Sequence, residues 1–173
     1  KVLEADINAS NGVIHVVDAV LSIPKVHNLI IANPELSSLV GVLTSAPQAA
    51  VLTDLTTTAT GATNALSRTV FAPTNAAFTS AAFLTGQSDA NITKVLKYHL
   101  ENNNRRASST TSFSSTALVI NTQLTGPQQT IAIAAATVKI ADITANNATI
   151  KTINIQGTNG VAHIIDKVLQ PTL

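Results

Sequence analysis

Two stretches near opposite ends of the chain have almost the same sequence. Residues 11–21 read NGVIHVVDAVL and residues 159–169 read NGVAHIIDKVL, so seven of the eleven positions are identical and two more exchange Val for Ile. The copies are offset by 148 residues, which is the length of an ordinary domain. A repeat at this spacing indicates that each copy occupies the same place in its own folding unit.

The position of the first copy predicts how the chain is divided. It lies at the start of the sequence, so we predict that residues 1–24 are the tail of a preceding unit and that residues 25–173 form one complete unit. In the tail, the β-prone segment from Val13 to Val17 predicts a strand without a domain of its own. We expect this strand to seek an exposed sheet edge, either on residues 25–173 or on another molecule.

The composition excludes several classes of function. Ten basic and nine acidic side chains leave a net charge of +1, unlike the basic surface with which proteins bind nucleic acids. Cysteine is absent, which excludes disulfide scaffolds, cysteine-ligated metals and thiol catalysis. No apolar run is long enough to span a bilayer, so we expect a soluble chain that does not insert into membranes. The Thr- and Asn-rich, Lys-poor composition favours a secreted or cell-surface protein.

The first half of the complete unit has the apolar period of helices. Between Leu29 and Leu43 apolar residues recur at three- and four-residue steps, with an interruption at Asn33-Pro34. Three further helices are predicted, over Ala49–Leu55, from the N-cap Thr74 through Phe83, and around Ile92–His99.

The second half changes to the two-residue period of strands. A short buried strand is predicted earlier, at Thr69–Ala72, and loops at Thr56–Ser67 and Glu101–Ser115. The later strands are predicted at Leu118–Leu124, Ile131–Ile133, Val138–Ile143, Ile150–Ile155 and Val161–Asp166. Helices followed by strands indicate an α+β domain, in which helices pack on a small antiparallel sheet or sandwich.

Three segments of this unit together resemble one protein family. Residues 69–78 read TVFAPTNAAF, residues 96–99 read LKYH, and residues 159–171 read NGVAHIIDKVLQP. In order and spacing they are similar to the first signature, the central Tyr-His element and the second signature of fasciclin-like (FAS1) domains. The resemblance covers residues 25–171, and residues 1–24 then resemble the end of an upstream FAS1 repeat.

This resemblance implies a fold, a location and a class of function. The fold is a wedge-shaped β-sandwich flanked by the helices of the N-terminal half. The function is that of a non-enzymatic adhesion module, one of several tandem repeats in a secreted or cell-surface protein, on the extracellular or periplasmic side. Its partners are an extracellular protein or polysaccharide and the neighbouring fasciclin-like domain of the same parent chain. The alternative is a structural spacer repeat without a ligand of its own.

Physical arguments also assign structural roles to the residues in these motifs. An aromatic strand residue anchors a core, a proline ends a strand, and Asn-Gly is a pair typical of turns. The His and Asp of the second signature recur at His15 and Asp18 in the first copy, which favours a structural requirement. The residues to which we assign such roles are Phe71, Pro73, Thr74, Asn159, Gly160, His163 and Asp166.

No arrangement of residues points to catalysis or to a cofactor. The four histidines are not spaced as metal ligands are, and the sequence has no nucleophile elbow, no glycine-rich phosphate loop and no paired carboxylates. We therefore predict no catalytic, cofactor-binding or metal-binding residue. His99 and His163 are expected to be partly buried and hydrogen-bonded.

Two residue pairs are candidates for adhesion, both through the family resemblance. In some animal matrix members an Asp-Ile dipeptide before the second signature is implicated in integrin binding, and Asp6-Ile7 matches it. The complete unit has Asn154-Ile155 at this place and so lacks the carboxylate. Tyr98-His99 matches the other proposed adhesion element, although a tyrosine at a helix end is also typical of a packed anchor.

Overall fold

The structure is a computed structural model that describes residues 1–57, 67–107, 118–124, 130–133, 139–144 and 147–173. Within these ranges the chain forms five α-helices: α1 (Val26–Ile31), α2 (Ser37–Leu43), α3 (Ala49–Thr56), α4 (Asn75–Ser80) and α5 (Asp89–Tyr98). It also forms nine β-strands: β1 (Val2–Ala9), β2 (Gly12–Val17), β3 (Arg68–Pro73), β4 (Leu100–Glu101), β5 (Leu118–Asn121), β6 (Thr130–Ile133), β7 (Lys139–Ala141), β8 (Ala148–Gly157) and β9 (Gly160–Ile165). The predicted α+β order of residues 25–173 is confirmed.

The helices begin and end largely where the sequence predicts. The predicted interruption after α1 is a 3-10 turn at Pro34–Leu36, which leads directly into α2. The side chain of Thr74 caps α4, because its Oγ1 accepts a hydrogen bond from Ala77 N at 3.2 Å. The helix predicted through Phe83 is too long, since α4 ends at Ser80 and Phe83 lies in a separate 3-10 turn.

The described strands β3 to β9 form one mixed sheet in the order β4-β3-β9-β8-β7-β6-β5. β3 and β9 are parallel, whereas the other neighbours are antiparallel. The prediction of a small antiparallel sheet or sandwich is therefore wrong for the β3–β9 pair, which is parallel. The two edges approach each other, because Gln123 N, just after β5, donates a hydrogen bond to Leu100 O of β4 at 2.7 Å. The sheet thus curls until it is nearly closed.

Apolar residues cover both faces of this sheet. One cluster packs the helices against buried residues of β3, β4 and β9, namely Val70, Ala72, Leu100, Ala162 and Ile164. A second cluster lies inside the curl, where Phe71 and Tyr98 meet the isoleucines of β5 to β8 and Ile165. β9 sends alternate side chains to the two clusters, as its sequence predicts. All six residues of β9 are buried, so both faces of this strand are covered.

Two other predicted boundaries change. The loop predicted at Glu101–Ser115 begins with a strand residue, since Leu100 and Glu101 pair with β3. Ile143, predicted to end a strand, lies in a turn after β7 and is 38% exposed. Most of the predicted loop Thr56–Ser67 lies outside the described residues, as do residues 108–115 of the other loop.

Residues 1–18 form a separate two-stranded hairpin, the N-terminal hairpin, from β1 and β2. β2 contains the strand that we expected to pair with an exposed edge, and it pairs antiparallel with β1. Several large apolar side chains of the hairpin are exposed: Val2, Leu3, Val13, Ile14, Val16 and Val17. The predicted tail is therefore folded locally while its apolar surface stays uncovered.

Candidate functional site

Tyr98 is fully buried at the end of α5, with 0% of its surface exposed. Its hydroxyl donates a hydrogen bond to Thr130 O of β6 at 2.7 Å. Burial raises the pKa of Tyr98 to about 12, so the phenol stays protonated and remains a donor. The side chain ties α5 to the inside of the curled sheet. A partner that binds the folded domain has no access to it.

His99 follows Tyr98, is 4% exposed, and uses both ring nitrogens. Nε2 accepts a hydrogen bond from Leu169 N at 2.9 Å, so the ring proton is on Nδ1, which donates to Val95 O at 2.8 Å. Burial lowers the pKa of His99 to about 4, and the ring is neutral at pH 7. His99 therefore fastens the C-terminal segment to α5. As direct adhesion contacts, Tyr98 and His99 do not fit this structure, because both side chains lie inside it.

His163 has the same kind of environment on β9. It is 0% exposed and stacks on Phe71, with 5.8 Å between ring centroids and 26° between planes. Nδ1 accepts a hydrogen bond from Asn154 N at 3.3 Å, and Nε2 donates to Arg105 O at 2.9 Å. Burial lowers the pKa of His163 to about 4. This ring fixes the segment that follows β4 against the centre of the sheet.

Asn159 holds backbone segments together from a buried position, being 3% exposed. Its Oδ1 accepts a hydrogen bond from Val26 N at 2.9 Å. Its Nδ2 donates to Leu55 O at 2.8 Å and to Thr57 O at 3.0 Å. The start of α1 and the end of α3 are thus both fixed to the turn between β8 and β9.

Gly160, Pro73 and Asp166 define the ends of the central strands. A Cβ on Gly160 would lie 2.2 Å from Arg68 O, so a close approach of β9 to β3 requires glycine there. Pro73 is the buried last residue of β3. Asp166 follows β9, and its Oδ1 accepts a hydrogen bond from Thr149 N at 2.6 Å. The structure thus places all three at junctions of the sheet.

Asp6-Ile7 and its counterpart Asn154-Ile155 lie in the same backbone irregularity. The φ angles of Asp6 and Asn154 are 59° and 56°, in the left-handed region that few side chains adopt. Asn154 Oδ1 accepts a hydrogen bond from Ala107 N at 2.8 Å, and its Nδ2 donates to Ala107 O at 3.1 Å. Asp6 is exposed and Ile7 is half-buried, so they are the accessible pair among the four predicted adhesion residues.

Two of the ion pairs among the described part of residues 25–173 have one largely buried partner, and neither was predicted from the sequence. Arg68 Nη2 lies 2.6 Å from Asp54 Oδ1, and Gln123 Nε2 donates to the same carboxylate at 2.6 Å. The hydrogen bond from Arg68 holds the pKa of Asp54 below its usual value. Arg105 binds Glu101 through both carboxylate oxygens. The four-residue spacing of Glu101 and Arg105 is the one sequence feature that could have indicated their ion pair. The pair of Asp54 and Arg68 leaves no such pattern, because the two residues come from different elements, α3 and β3.

An apolar cleft of about 360 Å³ lies between α2, α4 and α5. Its walls include Leu39, Val42, Phe78, Ile92 and His99, and none of its described lining residues is charged. Within the described ranges, no three His, Asp or Glu side chains come together as a metal site. No single described helix is long and apolar enough to cross a membrane, and Pro34–Leu43 with Ala46–Thr56 reach that length only together, across a bend of 83°.

Comparisons with known proteins agree with this architecture. The family model of the fasciclin domain matches residues 34–171. Sixteen chains of solved structures match, among them a FAS1 domain pair from the insect cell adhesion molecule fasciclin I. That pair has a TM-score of 0.53 and 19% identity over 78% of this chain and 45% of its own. The present chain thus spans less than half of that structure, and this likeness shows the fold alone. No curated protein sequence matches the chain as a relative.

The matched range contains both sequence signatures and the Tyr-His element between them. In the structure, these motifs meet around β3 and β9 and supply the fastening residues Thr74, His99, Asn159 and His163. The sequence resemblance, the fold and the family model agree: the chain belongs to the fasciclin domain family, a family of cell adhesion modules.

Proposed function

We propose that this chain is a non-enzymatic adhesion module of a secreted or cell-surface protein, and that it binds an extracellular protein or polysaccharide. The observation that carries the proposal is the fasciclin domain match over residues 34–171. The chemistry of the core supports it. The buried histidines are neutral and each ring bonds through both nitrogens, so they hold the fold together and offer nothing to a substrate.

The proposed organisation is tandem. Residues 25–173 act as one complete fasciclin unit, and residues 1–24 are the end of a preceding unit of the same parent chain. Support comes from the sequence repeat and from the N-terminal hairpin, which has the same strand pairing as β8 and β9. The domain pair in fasciclin I is a precedent for two such units in one chain.

The binding surface is proposed to lie on exposed loops and at Asp6-Ile7. With 11% charged residues, the chain is better suited to recognition through hydrogen bonds and apolar contacts than through charge. Asp6-Ile7 is the accessible candidate, because its carboxylate can reach a metal ion held by a partner. Asn154 has no carboxylate, and both polar atoms of its amide already bond to Ala107.

The experiment is a binding screen of residues 1–173 against immobilised glycans, matrix proteins and integrin-bearing cells, with and without EDTA. Asp6→Asn tests the carboxylate, and Glu4→Gln is the matched control on the same strand. Saturable binding that EDTA and Asp6→Asn abolish, and that Glu4→Gln retains, places the contact at Asp6. Binding unaffected by either substitution supports adhesion through another surface. No binding to any of these partners favours the spacer alternative.

A further inference from the structure

The N-terminal hairpin repeats the last hairpin of the complete unit in backbone detail. Ile7 pairs with Ile14 as Ile155 pairs with Ala162, an offset of 148 residues on both strands. The register shifts also fall at corresponding places in the two hairpins. The same offset relates their outermost pairs, Val2–Val17 and Ile150–Ile165.

Side-chain and closing contacts repeat as well. His15 Nδ1 accepts a hydrogen bond from Asp6 N at 3.1 Å, as His163 Nδ1 does from Asn154 N at 3.3 Å. The bonds that close the hairpins also correspond: Asp18 N to Lys1 O and Asp166 N to Thr149 O, each 3.1 Å. The N-terminal hairpin therefore has the conformation of a finished fasciclin hairpin, without the rest of a unit around it.

The segments that follow the two hairpins differ in their surroundings. Val168 and Leu169 are 3% and 0% exposed, whereas their counterparts Val20 and Leu21 are 94% and 84% exposed. Adjacent large apolar side chains that are almost fully exposed are typical of a surface that another protein covers.

The complete unit shows what provides the cover. β3 pairs in parallel with β9, Arg105 O accepts the hydrogen bond from His163 Nε2, and His99 Nε2 accepts the one from Leu169 N. All of these elements precede β8 and β9 in the sequence. By the same order, elements that cover residues 1–21 would come before them in the sequence.

Among the described residues of 25–173, the place that would cover such a hairpin is already occupied by β8 and β9, in this molecule and equally in a second copy. β3 is already flanked by β4 and β9. If the N-terminal hairpin replaced β8 and β9, Ala9 would stand in the place of Gly157, where a Cβ lies 2.4 Å from Val26 N. Ile14 would have to fit where the smaller Ala162 is already fully buried.

We propose that residues 1–21 are the docking surface for a second, non-identical fasciclin unit that precedes residue 1 in the same polypeptide. This rests on the tandem organisation proposed above and adds its contacts. The equivalent of β3 in that unit pairs in parallel with Gly12–Val17. A backbone carbonyl accepts a hydrogen bond from His15 Nε2, a histidine ring accepts one from Leu21 N, and Val20 and Leu21 enter the core.

The test compares residues 1–173 with the natural polypeptide extended N-terminally by one repeat length, about 150 residues. Calorimetry counts the folded units, and amide hydrogen exchange reports on β2. We expect a second thermal transition and at least about 100-fold slower exchange at β2 in the extended chain. Gly12→Ala is expected to leave the Tm of residues 1–173 unchanged and to lower the Tm of the added transition in the extended chain. The control Ser10→Ala, at an exposed position, is expected to lower the Tm of neither transition.

Three results would overturn the proposal. If the extended chain has a second thermal transition but the same amide exchange rate at β2, the tandem organisation is supported and the docking of residues 1–21 is contradicted. Without a second transition, the tandem organisation fails as well, while ligand binding by residues 1–173 remains a separate measurement. Slow, concentration-dependent exchange at β2 in residues 1–173 alone would identify a second copy of this chain as the occupant.

Discussion

Individual polar side chains in the interior of this domain connect separate backbone segments through hydrogen bonds. His99, Asn159 and His163 are each at most 4% exposed, and each joins segments that are far apart in sequence. The two histidines do this only in their neutral form, since each ring accepts one hydrogen bond and donates another. Their protonation is therefore coupled to folding.

We predict that the free energy of unfolding falls as the pH is lowered from about 6.5 towards 4. The histidines have a pKa of about 4 in the folded domain and about 6.5 when unfolded, so the unfolded chain binds more protons in this window. Each histidine contributes a slope of up to about 1.4 kcal/mol per pH unit. Asp54, whose pKa is lowered, contributes stability that is lost only at more acidic pH. Urea denaturation at pH 7, 6 and 5 measures the slope.

Histidine variants test the source of this slope. His163→Gln lowers stability at pH 7 and flattens the dependence between pH 7 and 5, because the protonation step of His163 is removed. His15→Gln, at the exposed counterpart position in β2, is the matched control for the substitution and is expected to leave stability at pH 7 unchanged. A profile equally steep in His163→Gln would exclude this histidine as a source.

Asn159→Ala is predicted to destabilise the domain by roughly 3 kcal/mol. The substitution leaves Val26 N and Leu55 O buried without their hydrogen-bond partner, and each such group costs about 1–3 kcal/mol. Chemical denaturation measures the loss, with Asn8→Ala on the exposed N-terminal hairpin as the control. If both variants have wild-type stability, Asn159 does not hold α1 and α3 as described.

At the scale of elements, the parallel pair of β3 and β9 determines the architecture. It brings the first and second signatures side by side and has helices on one face and the curled sheet on the other. Gly160 lies where the pair is tightest, against Arg68 O. Its counterpart Gly12, in the same position of the N-terminal hairpin, has no atom within 4 Å of the Cβ position.

These two glycines provide a matched prediction. Gly160→Ala is expected to cost about 3 kcal/mol or more, because β9 must move away from β3 to admit the Cβ. Gly12→Ala is expected to change stability by less than about 0.5 kcal/mol in residues 1–173. Thermal unfolding of the two variants measures the difference. Equal effects would mean that the β3–β9 contact is not the reason for the glycine.

The sequence predicts the elements of this fold better than their arrangement. Periodicity identifies most helices and strands, and the alternation in Val161–Asp166 correctly indicates two faces. The parallel pairing of β3 with β9 leaves no local pattern, because a period of two is the same in either orientation. For the site, Asp6 and Ile7 are accessible, but the burial of Tyr98 and His99 depends on packing against β6 and the C-terminal segment, which sequence spacing does not reveal.

At the scale of the whole molecule, residues 25–173 and the N-terminal hairpin are held by separate sets of hydrogen bonds. Among the described residues, the hydrogen bonds of residues 1–18 stay within the hairpin. After the hairpin, the chain is tied to the domain where Thr158 N donates a hydrogen bond to Pro24 O at 3.0 Å and Lys25 Nζ donates one to Thr56 O at 2.7 Å. The described residues of 25–173 are therefore held together without hydrogen bonds from the hairpin.

Deletion of Lys1–Ile23 is accordingly predicted to leave the Tm of the remaining chain within about 2 °C of that of residues 1–173. It also removes the exposed side chains of Val20 and Leu21, together with the two free strand edges of the hairpin. Because such surfaces promote association, the shortened chain is expected to aggregate less on heating. Calorimetry with light scattering measures both effects. A fall in Tm well beyond this range would show that the hairpin packs on residues 25–173, and would remove the reason for seeking its cover in a preceding unit.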